Sequence, residues 1–240
     1  ASSIGIAKNK IGFCGNKDKQ AVTKQHITVP KQYKLRVEKL QFNNIDVTYV
    51  GNVKEKLNLG DLRGNYFEIL VRDCNMTKLD AFDSTKVPNL FGEQRFSTDN
   101  AKIGKHLIVG EFKEACSVLK NDKTHSQKID AYLENNEHDF VGALRLQGTQ
   151  LLKFFVHAYQ SKLWNQAVIR LLNTKKEIKQ QNIPIVGFST EFSDVVEDIY
   201  DEILDDEDIT PRDFICRQIK EISSEGQMRP LFMNISHFSL

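Results

Sequence analysis

The sequence predicts an α+β protein, and three observations lead there. Apolar and polar residues alternate at period two in several stretches before Phe96, as in Thr23 to Val29 and Ile45 to Val53, the pattern of half-buried strands. From Ala101 the period changes: Ile103, Leu107, Ile108, Phe112, Ala115 and Leu119 recur at three- and four-residue steps, a helical stripe. Apolar residues make up 40% of the chain, enough for a packed core and too many for a disordered chain.

Residues 1–8 read as the end of a helix leading into a short buried strand over Ile11–Cys14. Gly15 then permits a sharp turn or a close backbone approach. Thr23, Gln25, Ile27 and Val29 predict a second strand, ended by Pro30. Leu35, Val37 and Leu40 punctuate a charged segment that reads as a short helix or strand. Ile45, Val47, Tyr49 and Val53 predict a strand with a Gly51-Asn52 turn, and Phe67–Arg72 another. Residues 143–152 are helical with Gly148 as a weak point, and Phe154–Val168 forms one strong helix. Thr210-Pro211-Arg212-Asp213 opens a helix expected to reach Ile222: threonine caps, proline suits the first turn, and the carboxylate favours the dipole.

At 240 residues the chain is one large domain or two modest ones. Its formal net charge is only +1, so bulk charge does not mark a nucleic-acid binder. The charge is unevenly spread, however. Lys8, Lys10, Lys17, Lys19, Lys24, Lys31, Lys34, Arg36 and Lys39 make the early part basic, whereas Glu191–Glu207 is acidic. This suits an RNA face early and a solvated outer face late. The four cysteines are scattered, with no spacing for zinc or a disulfide framework, and fit a reducing compartment. No apolar run approaches a membrane span and no secretory signal is visible. No membrane partner is expected.

The most informative stretch is Gly12 to Gln25. A carboxylate, Asp18, sits beside Lys17 on a tight strand–loop–strand, a plausible place for chemistry. Asn16-Lys17 does not make a guanine-recognition motif, because Asp18 falls one place early. No Gly-x-x-x-x-Gly-Lys-Ser/Thr loop exists. Gly15-x-Lys17-Asp18-x-x-Ala21-Val22-Thr23-x-Gln25 resembles the signature of the TruD family of pseudouridine synthases. Asn89-Leu90-Phe91-Gly92-Glu93-Gln94-Arg95-Phe96-Ser97 resembles that family's second motif, Asn-Tyr-Phe-Gly-x-Gln-Arg-Phe-Gly, with Leu90 for tyrosine and Ser97 for the last glycine. Ala158-x-x-Ser161-x-x-Trp164-Asn165 is similar to its Ala-x-x-Ser-x-x-Phe-Asn segment. The Leu57–Phe67 stretch, Ile183–Phe188 and Gly226-x-x-Arg229-x-Leu231 match weaker family segments, and relatives carry a helix between Asp73 and Lys86. At Phe238–Leu240, relatives continue toward an Arg-Glu pair, and they also have a strand upstream of Ala1. Further residues are therefore expected at both ends.

The resemblance implies a pseudouridine-synthase-like mixed, mainly antiparallel sheet with flanking helices, plus a mostly helical inserted TRUD domain. It implies a catalytic domain over residues 1–105, the insertion over 106–225, and a return to the catalytic domain over 226–240. It implies Asp18 as the catalytic residue, attacking C1′ of the ribose or assisting loss of a 2′ proton. Phe91 is expected to receive the extruded base. Lys17, Gln25, Asn89, Gln94, Arg95, Ser161 and Asn165 are expected at the substrate or RNA. Within that set, Lys17 holds Asp18 ionised or contacts a phosphate, and Asn89 orients Asp18 or bonds the uracil edge. Gln94 and Arg95 contact phosphate or brace a loop, with a structural salt bridge equally open for Arg95. Ser161 and Asn165 bond RNA or brace a neighbouring loop. Isomerisation involves no net redox change, so no cofactor, nucleotide or metal is expected. The implied partner is tRNA, with other RNAs open, and the expected state is a monomer in the cytoplasm, or the nucleus if eukaryotic. A non-catalytic RNA-binding or tRNA-folding module is the alternative.

Overall fold

The computed structural model describes residues 1–18, 20–70, 72–73, 86–97, 99–174, 181–193 and 195–235. The chain divides into two compact units, Ala1–Asn75 and Met76–Leu240.

The first unit opens on a helix C-terminus in miniature. Gly5 N–H donates to the Ser2 carbonyl at 3.2 Å and Ile6 N–H to the Ala1 carbonyl at 3.0 Å, with Gly5 at φ 71°. This is the paired bonding of a glycine-terminated helix end. After a 3-10 turn at Lys8–Lys10, strand β1 (Gly12–Phe13) pairs antiparallel with β2 (Ile27–Thr28), Gly12 opposite Thr28 and Phe13 opposite Ile27. The second strand is thus much shorter than Thr23–Val29. The close approach falls at Gly12, not at Gly15. A side chain at Gly12 would collide with the Leu57 carbonyl, the Thr28 hydroxyl and Lys56, whereas Gly15 has only an ordinary 3.7 Å contact to Leu62.

Helix α1 (Lys34–Glu38) settles the open choice for that charged segment. The expected strands at 45–53 and 67–72 do not form among the described residues. Phe42 and Ile45 make an isolated bridge, and residues 65–70 belong to no ladder. Val47, Tyr49, Val53, Phe67 and Ile69 are exposed. Alternation becomes a strand only when a neighbour supplies both hydrogen bonds and cover for one face, and none of the described residues does so here. The helix expected between Asp73 and Lys86 lies outside the described residues.

The second unit is helical with two small strand pairs. The stripe from Ala101 splits into α2 (Asn100–Val109) and α3 (Phe112–Leu119), because Gly110 takes φ 82° between them. Helix α4 (Lys123–Leu133) is capped by Asp122, whose carboxylate accepts the Thr124 N–H. Helix α5 (Phe140–Arg145) is capped in the same way by Asp139 from Gly142. Gly148, at φ 89°, then turns the chain into the 25-residue α6 (Thr149–Asn173). Gly104 of α2 lies directly on α6: an added Cβ would strike the Phe155 carbonyl and the Tyr159 Cβ.

Helix α7 (Val195–Asp206) is cleanly amphipathic. Val196, Ile199, Tyr200, Ile203 and Leu204 are buried, and Glu197, Asp198, Asp201, Glu202, Asp205 and Asp206 face water, the solvated face expected of the acidic stretch. The helix expected over 211–222 does not form. The Thr210–Asp213 capping box is present, but only the 3-10 turns Pro211–Phe214 and Lys220–Ile222 follow. Ile215 leaves helical geometry at φ −95°, ψ 91°, and the Cys216 N–H donates to the Ser223 hydroxyl at 3.0 Å. Phe214, Cys216, Ile219 and Ile222 are all buried, so side-chain anchoring holds this loop in place of a helical ladder.

Strand β3 (Lys86–Pro88) pairs antiparallel with β6 (Phe232–Asn234), and β4 (Asn182–Ile185) with β5 (Gln227–Pro230). Residues 227–234 therefore serve both pairs in succession. The core sits around α6, with Trp164, Tyr159, Tyr200 and Phe214 fully buried. Their polar atoms find partners, as buried groups must: Trp164 Nε1 donates to the Ile183 carbonyl, Tyr200 to that of Pro184, and Tyr159 to Glu207. Among the described residues, no helix is long and apolar enough to cross a membrane.

Candidate active site

In the first unit, Asp18 and Gln25 lie exposed on the segment between β1 and β2. Lys17 is half-buried, and its ammonium donates to Asn65 Oδ1 at 2.8 Å. Among the described residues, that amide, and not the neighbouring carboxylate, is its partner.

In the second unit, Asn89, Phe91, Arg95, Ser161 and Asn165 come together on one loop and one helix. Asn89 is buried, and its main chain extends the β3–β6 register: its N–H donates to the Leu231 carbonyl at 2.9 Å. Its side-chain amide donates to the Pro230 carbonyl at 3.0 Å. Two residues on, Asn165 of α6 clamps Phe91 through both backbone groups. Asn165 Oδ1 accepts the Phe91 N–H at 2.9 Å, and Nδ2 donates to the Phe91 carbonyl at 2.9 Å. Of the two roles open to Asn165, the geometry shows loop bracing. An amide matches a peptide group in both donor and acceptor, so this position holds a loop that has no strand partner.

Gln94 and Arg95 lie in the 3-10 turn Glu93–Arg95. Arg95 makes no salt bridge to any described residue. Its Nε donates to Ser161 Oγ at 3.4 Å, while that hydroxyl donates to the His157 carbonyl at 2.6 Å. Its guanidinium lies 5.8 Å from the Phe91 ring centre and 5.2 Å from that of Phe154. Burial lowers its pKa.

Arg229 is the residue that sequence reasoning underweighted. Its guanidinium covers one face of Phe91 at 3.9 Å, and Trp164 meets the ring edge-on with centroids 5.7 Å apart. Arg229 Nη2 donates to both the carbonyl (2.9 Å) and the side-chain Oδ1 (2.8 Å) of Asn89, and Nε adds a longer bond to the same carbonyl. Asn89 is thus held by a strand 140 residues away. A base stacking on Phe91 would have to use the area Arg229 leaves free. The one available signal was an arginine inside a Gly-x-x-Arg-x-Leu segment, which by itself states no contact.

These residues wall a cavity of about 170 Å³, lined by Phe91, Arg95, His157, Gln160, Ser161, Ile185, Ser224, Gly226, Gln227 and Arg229. Gln160 is buried and fixed by bonds to the Val186 carbonyl and Ser224. His157 opens to solvent, yet the protein packed on its inner side, then the charges of Arg95 and Lys153, push its pKa down. Among the described residues, no group of three or more His, Cys, Asp or Glu could hold a metal ion.

The family model for tRNA pseudouridine synthase D (TruD) matches residues 1–132, 119–182 and 175–240. The chain belongs to the TruD family. A protein of Methanopyrus kandleri named as a probable tRNA pseudouridine synthase D is 27% identical over 277 residues, spanning 93% of this chain and 69% of the relative. One from Methanococcus maripaludis, with the same description, is 29% identical over 249 residues, spanning 85% and 63%. The chain thus spans between about half and three quarters of the length of the curated relatives it matches. The fold is similar to the crystal structure of a TruD protein from Methanosarcina mazei, with a TM-score of 0.73 over 97% of this chain and 74% of that one, at 21% identity. The α+β class is therefore that of a TruD protein. In TruD terms, the second motif is the loop that Asn165 and Arg229 hold, and the helical segment carrying Ser161 and Asn165 is its clamp.

Proposed function

We propose that this protein is a tRNA pseudouridine synthase that isomerises a uridine, at position 13, with Asp18 as its catalytic residue. The reaction breaks the N1–C1′ bond and joins C5 to C1′; C5 loses a proton and N1 gains one. Atoms and oxidation state balance without a cofactor. The carboxylate must act in its charged form, as nucleophile at C1′ or as base at the 2′ position. The base must leave its stack before it can turn, and an extruded pyrimidine needs an apolar surface. Phe91 supplies it in this reading.

The single observation that carries the reading is the fixed Asn89–Phe91 loop. Asn165 holds it by both amide functions, and Arg229 grips Asn89 and packs on the ring. A loop held this firmly presents a preset surface, which is what transition-state positioning needs. Lys17, Gln25, Gln94, Arg95 and Ser161 complete the RNA-contacting set in this proposal. The division into a catalytic part (1–105), an insertion (106–225) and a return (226–240) is supported by the β3–β6 pair, which joins residues 86–88 to 232–234. The protein works as a monomer, in the cytoplasm or the nucleus.

The test is conversion of tRNA by the intact protein and by Asp18→Ala, followed by mapping of pseudouridine. Wild type is expected to give product and the variant none; undiminished product from the variant ends the assignment. A second reading, an RNA-binding or tRNA-folding module without turnover, draws on the exposure of Asp18 and on the engagement of Lys17 with Asn65. Salt-dependent tRNA binding by wild type with no product would favour it.

A further inference from the structure

The cavity beside Phe91 has a composition that base recognition alone does not account for. Two guanidinium groups line it, with His157, Gln160, Ser161, Ser224 and Gln227, and among the described residues no carboxylate does. Arg95 and Arg229 lie against the same phenyl ring, at 5.8 and 3.9 Å. Like charges this close repel in a medium less polar than water. Arg95 acts on Arg229 in this sense, lowering its pKa, and an anion between the two would offset the repulsion.

Their donors are incompletely used. Arg229 spends Nε and Nη2 on Asn89. Arg95 uses Nε on Ser161. Among the described residues, Arg229 Nη1 and both terminal nitrogens of Arg95 have no acceptor. None of these nitrogens is sealed from solvent, since among the described residues no buried side-chain nitrogen or oxygen lacks a partner. The open Nη1/Nη2 fork of Arg95, with the remaining Nη1 of Arg229 beside it, matches the geometry of phosphate oxygens.

Size narrows the ligand. The cavity, about 170 Å³, is well above the roughly 10–15 Å³ that one water needs. It is below the roughly 300–1,000 Å³ of pockets that take whole small molecules. A phosphate group fits that window.

We propose that the cavity between Phe91, α6 and the β4–β5 pair is a phosphate-binding site, with Arg95 and Arg229 as its ligands and His157 and Gln227 at its rim. The phosphate comes from an RNA backbone or from free inorganic phosphate. The RNA source rests on the proposed function; the site itself does not. Burial lowers the pKa of Arg229, and Arg95 lowers it further, a strain that a bound anion would relieve.

The experiment titrates inorganic phosphate into the intact protein by calorimetry, with chloride at matched ionic strength as control. Arg95→Gln is expected to weaken phosphate binding about tenfold or more, since it removes charge-assisted hydrogen bonds. Arg95→Lys should retain part of the affinity. A second measurement needs no folded arginine variant: in wild type, the ring resonance of His157, assigned by its loss in His157→Asn, should shift with phosphate and not with chloride. Phosphate acting no differently from chloride, or equal binding by wild type and Arg95→Gln, overturns the proposal. Competition by tRNA for the phosphate signal identifies RNA as the source, and retained binding in the presence of tRNA identifies free phosphate. Pseudouridine formation is scored separately with Asp18→Ala, so failure of either idea leaves the other intact.

Discussion

The two units treat the same kind of residue in opposite ways. In residues 76–240, apolar side chains converge on α6, and Trp164, Tyr159 and Leu163 have no exposed surface. In residues 1–75, Ile4 is the one buried apolar side chain among those described, while Val22, Tyr66, Ile69 and Leu70 face outward. Burial of apolar area is the main stabilising term in folding. The stability of this chain therefore resides in the second unit, whereas the proposed catalytic acid belongs to the first.

That contrast can be broken, most sharply at Gly104. Gly104→Val forces a side chain into the main chain of α6, which cannot yield as a flexible side chain would. It is expected to destabilise by about 3 kcal/mol or more, read by urea unfolding with the fluorescence of Trp164, the single tryptophan. A loss below about 1 kcal/mol would mean that the helices are not in backbone contact.

Glu207 gives the next effect. Burial alone would raise its pKa, but Lys162, Lys105 and Tyr159 all donate to it, and together they hold the pKa at about 2. The folded carboxyl lies below its ordinary value of 4.5, so the unfolded chain takes up the proton first as pH falls. Its contribution is full above that ordinary value and is lost progressively toward pH 2. Glu207→Gln should remove up to about 3 kcal/mol at neutral pH and flatten the acid limb of the stability curve. An unchanged acid limb would refute this.

Asn165→Ala deletes both bonds to Phe91 and should cost about 1–3 kcal/mol. Turnover should fall further than the stability change explains, because the loop loses its preset position; loss of stability without loss of turnover would separate the clamp from the chemistry. The smallest effect belongs to the first unit. Val22→Ser and Ile69→Ser should change Trp164-monitored stability by no more than about 0.5 kcal/mol. A larger change would erase the contrast between the units.

How much of this was legible in the sequence follows the same divide. The stripe from Ile103 to Leu119 and the apolar run of α6 were readable, because their partners lie within one helical core. The alternation at Ile45–Val53 was real as a pattern and did not become a strand, since a strand also needs a neighbour. Thr210–Asp213 does form a capping box, yet a cap only opens a helix, and the residues after it are anchored in the core one by one. The second motif placed Asn89, Phe91 and Arg95 together. Nothing local to Arg229 reveals that it would lie on Phe91, because that contact depends on how β5 joins β4.

Residues 227–234 close two strand pairs and deliver Arg229 to Asn89. On a ribosome, Asn89 is therefore made long before the group that will hold it. At roughly 5–20 residues per second, the loop waits roughly seven to thirty seconds for its arginine. Throughout that interval the nascent chain carries an unfinished pocket, and helices α2 to α7 can assemble first as a scaffold onto which the last strands are laid.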